Sequence, residues 1–464
     1  MSLYQTEKRL EKTIRILVYP NITFAKDLEK DSYIQVIKKQ ITLLNEIRND
    51  LWFYLILPKE VPSLVFDNVT QLYIDLPTHP PTMRAHFDTE AIKKVLPKHY
   101  DFDLLMSHLP EHTYDLKNVL FNKTQHIPKI FGYAHWFDLK NVVNWPMDSF
   151  RKNIIGLLEY DRCYLNTEHQ KQLVLEEAKE TFSDNTIKQL DDILTVQHLG
   201  VDEKDIVDSI NPNPEKIIVF NHRPDTYKHY NEFIEVMDKL YEERKDFKVW
   251  VPLLGKSNRD YIITDKGDKQ FYYNKLKTCC VGFSPKQDYG GWSVATTDGM
   301  MNGVPYIMYD ELYYKELNPK GEYFANKSLH PKYREKHLLS LFSVYLDNKA
   351  YDFSNETWNE NYRNKMAEQA LFHVKDFLVY KDEVIKMSKY IDSLVDKLPK
   401  VGNSEKLKEM TEWIRDEKSI SKKNLIERLN WGVGIKFTQY RRTLLTNPNI
   451  FDTISEYPNY CWKE

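Results

Sequence analysis

Residues 216–228 read KIIVFNHRPDTYK, and residues 290–305 read GGWSVATTDGMMNGVP. The first stretch is a continuous apolar run, typical of a buried parallel strand, that ends in polar and cationic residues. The second stretch passes from a glycine turn into a helix and then reaches a further apolar run at 305–309. A strand followed by a turn, a helix and another strand is the repeating unit of an α/β sheet with parallel strands.

The same alternation extends to both sides of these stretches. Helical patterns separate a series of apolar runs, and Pro212 and Pro214 mark a linker between two halves. We therefore predict two doubly wound, Rossmann-like domains, 1–210 and 211–335, that face each other across a cleft. The predicted strands are 14–19, 51–57, 71–76, 102–106, 129–133, 162–165, 216–220, 248–252, 280–283 and 305–309.

The last third of the chain has a different pattern. A long helical stretch at 338–398 predicts that residues 336–402 form a helical segment that packs back on the core. After it, two helical patterns, the turn Gly432-Val433-Gly434, a third helical pattern and two short β-like pieces follow. This order predicts a winged-helix-like module at 403–464.

The composition limits the class of protein. Hydrophobic residues make up 42% of the 464 residues and charged residues 29%, which favours a globular chain and excludes a disordered one. The longest apolar run, 51–57, is too short to span a bilayer, and the first twelve residues lack the apolar core of a signal peptide. The four cysteines have neither metal-site nor disulfide spacing. We expect a soluble, cytoplasmic protein that has no metal centre and does not act at a membrane.

Two cations follow the strand predicted at 216–220. Ligands of α/β sheets bind outside the carboxyl ends of the strands, which is where Arg223 and Lys228 fall. A guanidinium and an ammonium together could neutralise a diphosphate. For an isolated pair of cations, two solvated surface residues are the alternative interpretation.

The helix that begins near residue 293 supplies groups of a second kind. Its N-terminus offers backbone N–H groups and the hydroxyls of Ser293 and Thr296, which suit a phosphate. Asp298 lies farther along the helix and could accept hydrogen bonds from ribose hydroxyls. An ordinary capped helix is the alternative. The sequence contains neither a G-x-G-x-x-G motif nor a P-loop, which disfavours nicotinamide dehydrogenases and P-loop kinases.

The strand ends of the first half contain further candidates. His135 and Asp138 follow the strand predicted at 129–133, where the histidine could hydrogen-bond a leaving group and the aspartate could orient an acceptor hydroxyl. Asn21 and Thr23 follow the first strand and could contact the donor. His108 is a weaker candidate at the same rim. A histidine satisfied within the core is the alternative for His135.

The C-terminal module is locally basic. The chain as a whole has a net charge of -3, but seven cations and a single acid lie between Lys418 and Arg442. A basic helix in a winged-helix layout fits binding to double-stranded DNA, and a solvated helical face is the alternative. The candidate DNA-binding residues are Lys422, Lys423, Lys436, Gln439, Arg441 and Arg442.

The donor-side pattern resembles retaining glycosyltransferases of the GT-B fold. In that family an Arg and a Lys bind the donor diphosphate, and the second Glu of a Glu-x7-Glu motif binds the ribose. Arg223, Lys228 and Asp298 match these positions, whereas the first Glu of the motif would fall on Gly290. The resemblance implies a UDP-sugar as co-substrate and no required cofactor, and it leaves a loosely bound magnesium ion open.

With the basic module added, the chain looks like the DNA glycosyltransferases of T-even-like phages, and most like their arabinosyltransferase branch. The residues that carry this resemblance are 16–23 and the basic C-terminal stretch. It implies transfer of arabinose, or next of glucose, from a UDP-sugar to 5-hydroxymethylcytosine in duplex DNA, inside a bacterial host cell. The alternatives are a glycosyltransferase for a cell-envelope glycan or polyol phosphate, and a DNA-binding regulator with an inactive transferase domain.

Overall fold

The computed structural model describes residues 13–20, 32–58, 66–74, 87–96, 102–124, 127–135, 137–139, 147–286, 291–324, 331–396, 404–428, 444, 447, 449–452 and 459–462. Two parallel sheets dominate this part of the chain, each covered by helices. Because the apolar runs are buried on both faces, they form central strands of such sheets. The predicted architecture of two Rossmann-like domains is confirmed.

The first domain contains a seven-stranded sheet of order β3-β2-β1-β4-β5-β6-β7, in which every pair is parallel. Its elements are β1 Ile14–Tyr19, α1 Ser32–Ile47, β2 Leu51–Pro58, β3 Val69–Ile74, α2 Thr89–Val95, β4 Leu104–Ser107, α3 Pro110–Thr124, β5 Lys129–Tyr133, α4 Met147–Leu157, β6 Arg162–Leu165, α5 Glu168–Lys179, α6 Asp184–Ile193 and β7 Leu194–Val196.

The second domain contains a six-stranded parallel sheet of order β10-β9-β8-β11-β12-β13. Its elements are β8 Glu215–Val219, α7 Tyr230–Glu243, β9 Lys248–Trp250, β10 Ile262–Ile263, α8 Lys269–Leu276, β11 Cys279–Ser284, α9 Val294–Met301, β12 Tyr306–Tyr309, α10 Leu312–Leu317 and β13 Glu322–Phe324.

The helical stretch predicted at 338–398 is three helices interrupted by a hairpin. These elements are α11 Pro331–Asp347, β14 Lys349–Asp352, β15 Thr357–Glu360, α12 Tyr362–Phe377 and α13 Tyr380–Asp396. The hairpin begins and ends where Asn348 and Asn361 adopt left-handed backbone angles, with φ of 53° and 62°. Left-handed residues are incompatible with a continuous right-handed helix, so the helical pattern on either side could not extend through them.

Residues 336–402 divide between the two domain cores. Side chains of α11 and α12 join the core of the second domain, as Phe342 and Val374 do. In contrast, α13 lies in the core of the first domain, where Val384, Met387 and Ile391 are fully buried. The chain therefore crosses from the second domain back to the first between α12 and α13.

The C-terminal module has a small core of its own around Met410, Ile414 and Tyr460. Its described elements are α14 Ser404–Glu417, β16 Ser419–Ser421, α15 Lys422–Arg428, β17 Ile450–Asp452 and β18 Asn459–Trp462, and its antiparallel sheet has the order β16-β18-β17. The third helix predicted for this module falls almost wholly outside the described residues. The winged helix therefore stays a prediction.

Two absences hold within the described ranges. No helix in them combines the length and the apolar character needed to cross a bilayer. They also contain no group of three or more His, Cys, Asp or Glu side chains that could hold a metal ion.

We expect Gly200→Ala to destabilise the protein, because a Cβ there would lie 2.4 Å from the Leu378 carbonyl oxygen and 2.6 Å from the Tyr380 nitrogen. Overpacking against backbone atoms costs about 1–3 kcal/mol. Urea unfolding measures the loss. Gly255→Ala is the matched control, since a Cβ at Gly255 has no atom within 4 Å, and an equal response of both variants would contradict the prediction.

Candidate active site

A cavity of about 670 Å³ opens at the carboxyl ends of the second sheet, between the β8–α7 connection and helices α8 and α9. Most of the donor-side residues predicted from the sequence line it. Arg223 and Lys228 come from the β8–α7 connection, Ser293 from the start of α9, and Asp298 from its second turn. Arg223 and Lys228 therefore lie at the strand end predicted for them, and Ser293 and Asp298 lie on the predicted helix.

The two cations lie side by side, one exposed and one half-buried. The Arg223 guanidinium donates to the hydroxyl of Tyr227 and lies 3.7 Å from Asp225. Burial and the positive charge of Arg223 lower the pKa of Lys228 to about 8. The pair therefore has an unfavourable mutual repulsion that a bound anion would relieve.

Asp298 is a partly buried carboxyl in the wall of the cavity. The Tyr272 hydroxyl donates to its Oδ2 at 3.4 Å. Burial raises the pKa of Asp298 to about 7, and this hydrogen bond only partly offsets the effect. At neutral pH the carboxyl is thus poised between its two protonation states, a condition common at functional sites.

Asn221 fixes the wall between the strand end and α9. Its amide nitrogen donates to the Tyr272 hydroxyl at 2.8 Å and to the Ala295 carbonyl at 2.7 Å, and its oxygen accepts from Tyr306 at 3.1 Å. The side chain therefore uses both of its N–H groups and its oxygen to hold α8, α9 and β12 around the cavity.

Thr296 does not reach the cavity. Its hydroxyl is fully buried and lies 2.6 Å from the hydroxyls of both Ser284 and Ser293. Ser293 caps α9, since its oxygen accepts from the Thr296 N–H at 3.3 Å. This cap fixes the N-terminus of α9 beside the cavity, so Thr296 acts on the site only through Ser293.

Several cavity residues were missed by sequence reasoning. Tyr272 lies in the run Phe271-Tyr272-Tyr273 at the start of α8, and Trp292 directly precedes the cap of α9. The Trp292 indole nitrogen is buried and has no hydrogen-bond partner among the described residues. An aromatic cluster next to a glycine turn was the available signal, but aromatic side chains at such spacing more often belong to a core.

Two residues of the first domain, His198 and Gln170, contact the segment Gly291-Trp292, and Trp292 lines this cavity. The His198 ring stacks on Trp292 with 5.2 Å between centroids. The His135 carbonyl accepts from the amides of Asn166 at 3.2 Å and Gln170 at 3.1 Å, and Gln170 abuts Gly291. Burial lowers the pKa of His135 to about 4, so its imidazole is neutral at physiological pH.

Asp138 and His108 lie deeper in the first domain. Asp138 is buried beside Asn153, whose amide lies within 3.4 Å of the Asp138 carboxylate and 3.1 Å of Glu111. Burial, together with the nearby His135, lowers the pKa of His108 to about 3. These two candidates are part of the wall behind His135 rather than of the donor-side cavity.

Most of the remaining candidates lie outside the described residues. Asn21 and Thr23 fall outside the described residues, as do Lys436, Gln439, Arg441 and Arg442. Lys422 begins α15, but its side chain is not described. Lys423 is exposed and lies 3.6 Å from Glu427. Their proposed contacts with donor and DNA stay predictions.

We expect Asp298→Asn to raise the free energy of unfolding at pH 8 by about 2–4 kcal/mol and to change it little at pH 4. The folded chain keeps this proton up to about pH 7, whereas an unfolded aspartate loses it near pH 4. Wild-type stability therefore falls as the pH rises through that window, and the amide removes the penalty. Urea unfolding at both pH values tests this. The exposed Asp260→Asn is the control, and an Asp298→Asn gain of equal size at both pH values would contradict the assignment.

No protein-family model matches the chain, and no curated protein matches it. Solved structures do resemble it. A glycosyltransferase from Rickettsia africae gives a TM-score of 0.57 at 13% identity, over 83% of this chain and 99% of that chain. A structure from E. coli, trehalose-6-phosphate bound with UDP-2-fluoro glucose, gives 0.54 at 11% identity, over 82% and 99%.

The GtfA/B complex structure gives a lower TM-score of 0.47 at 11% identity, over 67% of this chain. The chain spans 61% of that structure's length and 59% of the Staphylococcus aureus TarM structure. At such identities the likeness concerns the fold. The chain has the GT-B architecture, in which two parallel-sheet α/β domains face each other across a cleft.

Proposed function

We propose that this protein is a glycosyltransferase that takes a sugar from a UDP-sugar. The observation that carries the proposal is the cavity at the strand ends of the second domain, which Arg223, Lys228 and Asp298 line together. The cavity volume suits a nucleotide. The GT-B fold supports the proposal, as does the bound UDP-2-fluoro glucose of the E. coli structure.

In this proposal the diphosphate lies against Arg223 and Lys228 and near the N-terminus of α9. The exposed guanidinium supplies a bidentate fork, and the half-buried ammonium supplies a charge that little water screens. The α9 N-terminus adds backbone N–H groups and the positive end of the helix dipole. These groups stabilise the charge that develops on the diphosphate as the bond to the sugar breaks.

Asp298 and Tyr272 would bind the ribose. An ionised carboxylate accepts hydrogen bonds from two ribose hydroxyls, and these bonds favour its charged form. Binding would therefore lower the pKa of Asp298 from about 7 and offset part of the cost of its burial. The Tyr272 hydroxyl, already directed at Asp298, orients the carboxylate for this contact.

His135 would act from the opposite domain as a neutral group. Its pKa of about 4 excludes a permanent imidazolium at pH 7, so the ring contributes a hydrogen bond to the sugar or the leaving group. Retention of the anomeric configuration follows from the resemblance to retaining GT-B enzymes. Asp138, held by Asn153, would support the acceptor side of the same wall.

For the acceptor we propose 5-hydroxymethylcytosine in duplex DNA, with arabinose as the favoured sugar and glucose next. The seven cations between Lys418 and Arg442 support a phosphate-backbone contact. The target base would leave the stack so that its hydroxymethyl oxygen reaches the donor sugar. A glycan acceptor would give those cations no corresponding partner.

UDP affinity should show a bell-shaped pH dependence with its maximum between about pH 7 and 8. It rises as Asp298 ionises near pH 7 and falls as Lys228 loses its proton near pH 8. Calorimetric titration from pH 5.5 to 9.5 measures it. Asp298→Asn should flatten the acidic limb, except for ionisation of the diphosphate itself, and Lys228→Arg should shift the alkaline limb upward. A flat profile in the wild type would contradict both assignments.

Arg223→Ala should weaken UDP binding by about tenfold or more, because a charge-assisted contact with phosphate is lost. Lys256→Ala is the matched control, since it removes an exposed cation of the same domain outside the cavity. Equal affinities of the two variants would exclude a diphosphate contact at Arg223. A regulator with an inactive transferase domain predicts that equality.

The acceptor is tested by nucleoside mass spectrometry after incubation with duplex DNA and a panel of UDP-sugars. We expect a pentose or hexose increment only when the DNA contains 5-hydroxymethylcytosine. Glutamine substitutions at Lys436, Arg441 and Arg442 should reduce DNA affinity and its salt dependence while UDP affinity stays unchanged. UDP-sugar hydrolysis without any increment on DNA would reject the acceptor and retain the transferase.

A further inference from the structure

A second cavity, of about 490 Å³, lies in the second domain on the other side of the β8–α7 connection. Lys228 lines the first cavity, and the next residue, His229, lines the second. The walls of the second cavity come from the first turns of α7 and α11 and from the ends of β11, β12 and β13. Its volume is in the range of small-molecule sites, and the proposed function leaves it unused.

The floor of this cavity is aromatic. The rings of Phe233 and Phe283 stack with 5.0 Å between centroids, and Phe283 and Phe324 lie 5.2 Å apart. Val236 and Leu338 complete the apolar lining. Such a floor favours the apolar body of a ligand through burial of its surface.

Two cations, Lys286 and Arg334, lie above this floor. Burial and the negative charge of Glu311 raise the pKa of Tyr309, while the nearby charges of both cations and a hydrogen bond with Arg334 lower it. Both cations are therefore close to the Tyr309 hydroxyl. The Nε of Arg334 is buried and has no hydrogen-bond partner among the described residues. A buried, unpaired donor on a charged group is costly, and an acceptor on a ligand would remove that cost.

The acids of the cavity are mostly engaged elsewhere. Glu335 accepts from Lys239 at 2.6 Å, and Glu232 lies 2.8 Å from the His229 ring. Glu235 is exposed on α7. None of these contacts supplies the Nε of Arg334 with an acceptor.

The N-terminus of α11 also favours an anionic ligand. Its first turn reads Pro331-Lys332-Tyr333-Arg334 and contains no acid. A helix N-terminus favours negative charge, so the Arg334 cation in the first turn opposes the helix dipole. A bound anion would reverse this unfavourable arrangement, because it would meet the cations and the positive end of the helix together.

We propose that this second cavity binds a small anionic ligand, whose phosphate or carboxylate contacts Arg334 and Lys286 and whose apolar body covers the phenylalanine floor. The site lies within one domain and is separate from the UDP-sugar cavity. Its existence does not depend on the function proposed above.

Phenyl phosphate is the probe that combines both features. Calorimetric titration of the full chain should show binding that Arg334→Gln weakens by about tenfold or more, the loss expected for a charge-assisted contact. Lys336→Gln is the matched control, since it removes an exposed cation on α11 two residues away that does not line the cavity. Its affinity should stay within about twofold of wild type.

Inorganic phosphate tests the contribution of the apolar body, and benzoate tests the identity of the anionic group. Phosphate alone should bind at least about tenfold more weakly than phenyl phosphate, since it lacks the body that the floor would bury. If benzoate binds more tightly than phenyl phosphate, the anion is a carboxylate, and the reverse order assigns it as a phosphate. Either order upholds the site.

Three results would overturn the proposal: no binding of phenyl phosphate or benzoate to the wild type, equal affinity of wild type and Arg334→Gln, or complete loss of phenyl phosphate binding at saturating UDP. The last result would place the probe in the UDP-sugar cavity. Circular dichroism checks that Arg334→Gln is folded. If it is not, Lys286→Gln takes its place with the same expected direction.

Discussion

The arrangement of the two sheets depends on one short backbone contact, where the chain passes twice between the domains. The Val201 N–H donates to the Leu378 carbonyl at 2.8 Å, and the Tyr380 N–H donates to the Val201 carbonyl at 3.1 Å. Only a glycine fits beside this bridge, because a Cβ at Gly200 would meet the backbone of the returning strand. Lys39, from α1, stabilises the segment that leaves the first domain, because its ammonium donates to the Gly200 carbonyl at 3.1 Å. Because α13 is then buried in the first core, the carboxyl ends of both sheets are held toward one cleft.

The cleft concentrates groups whose charged forms are disfavoured by burial. Burial is the first cause of the shifted pKa of Asp298, Lys228, His222 and His135, and each shift favours the neutral form. A folded protein tolerates such groups only because its two cores compensate for their cost elsewhere. The same desolvation strengthens every contact that these groups make with a bound ligand. These groups thus lower the stability of the folded chain, and binding of a charged ligand would offset part of that cost.

The sequence alone predicted the positions of those cavity residues that depend on the local order of strands, turns and helices. The positions of Arg223 and Lys228 were predictable because the strand-end rule needs only the order of strand, turn and helix. Asp298 was predictable from its place on the following helix, α9. Thr296 was placed at the ligand because a hydroxyl in the first helical turn can point outward or inward, and only packing against Ser284 decides its direction. The His198–Trp292 stack was not predictable, since its members are 94 positions apart and come from different domains. The hairpin between α11 and α12 was missed because left-handed residues such as Asn348 leave no periodic signal.

The contacts across the cleft are weaker than the backbone bridge at Val201, where the chain crosses between the domains. Across the cleft, Glu316 of α10 accepts the backbone N–H groups of Glu168 and His169 at 2.7 and 2.8 Å, and so caps the N-terminus of α5. The stacked rings of His198 and Trp292 form a further cross-domain contact beside the cavity. A cap and a ring stack are each worth about 1 kcal/mol, far less than the burial of α13. Separation of the two faces therefore costs much less than disruption of the crossing. Because Trp292 lines the cavity of about 670 Å³ and directly precedes the cap of α9, such separation would alter the cavity wall itself. A ligand that contacts this wall would therefore favour the closed arrangement of the two domains.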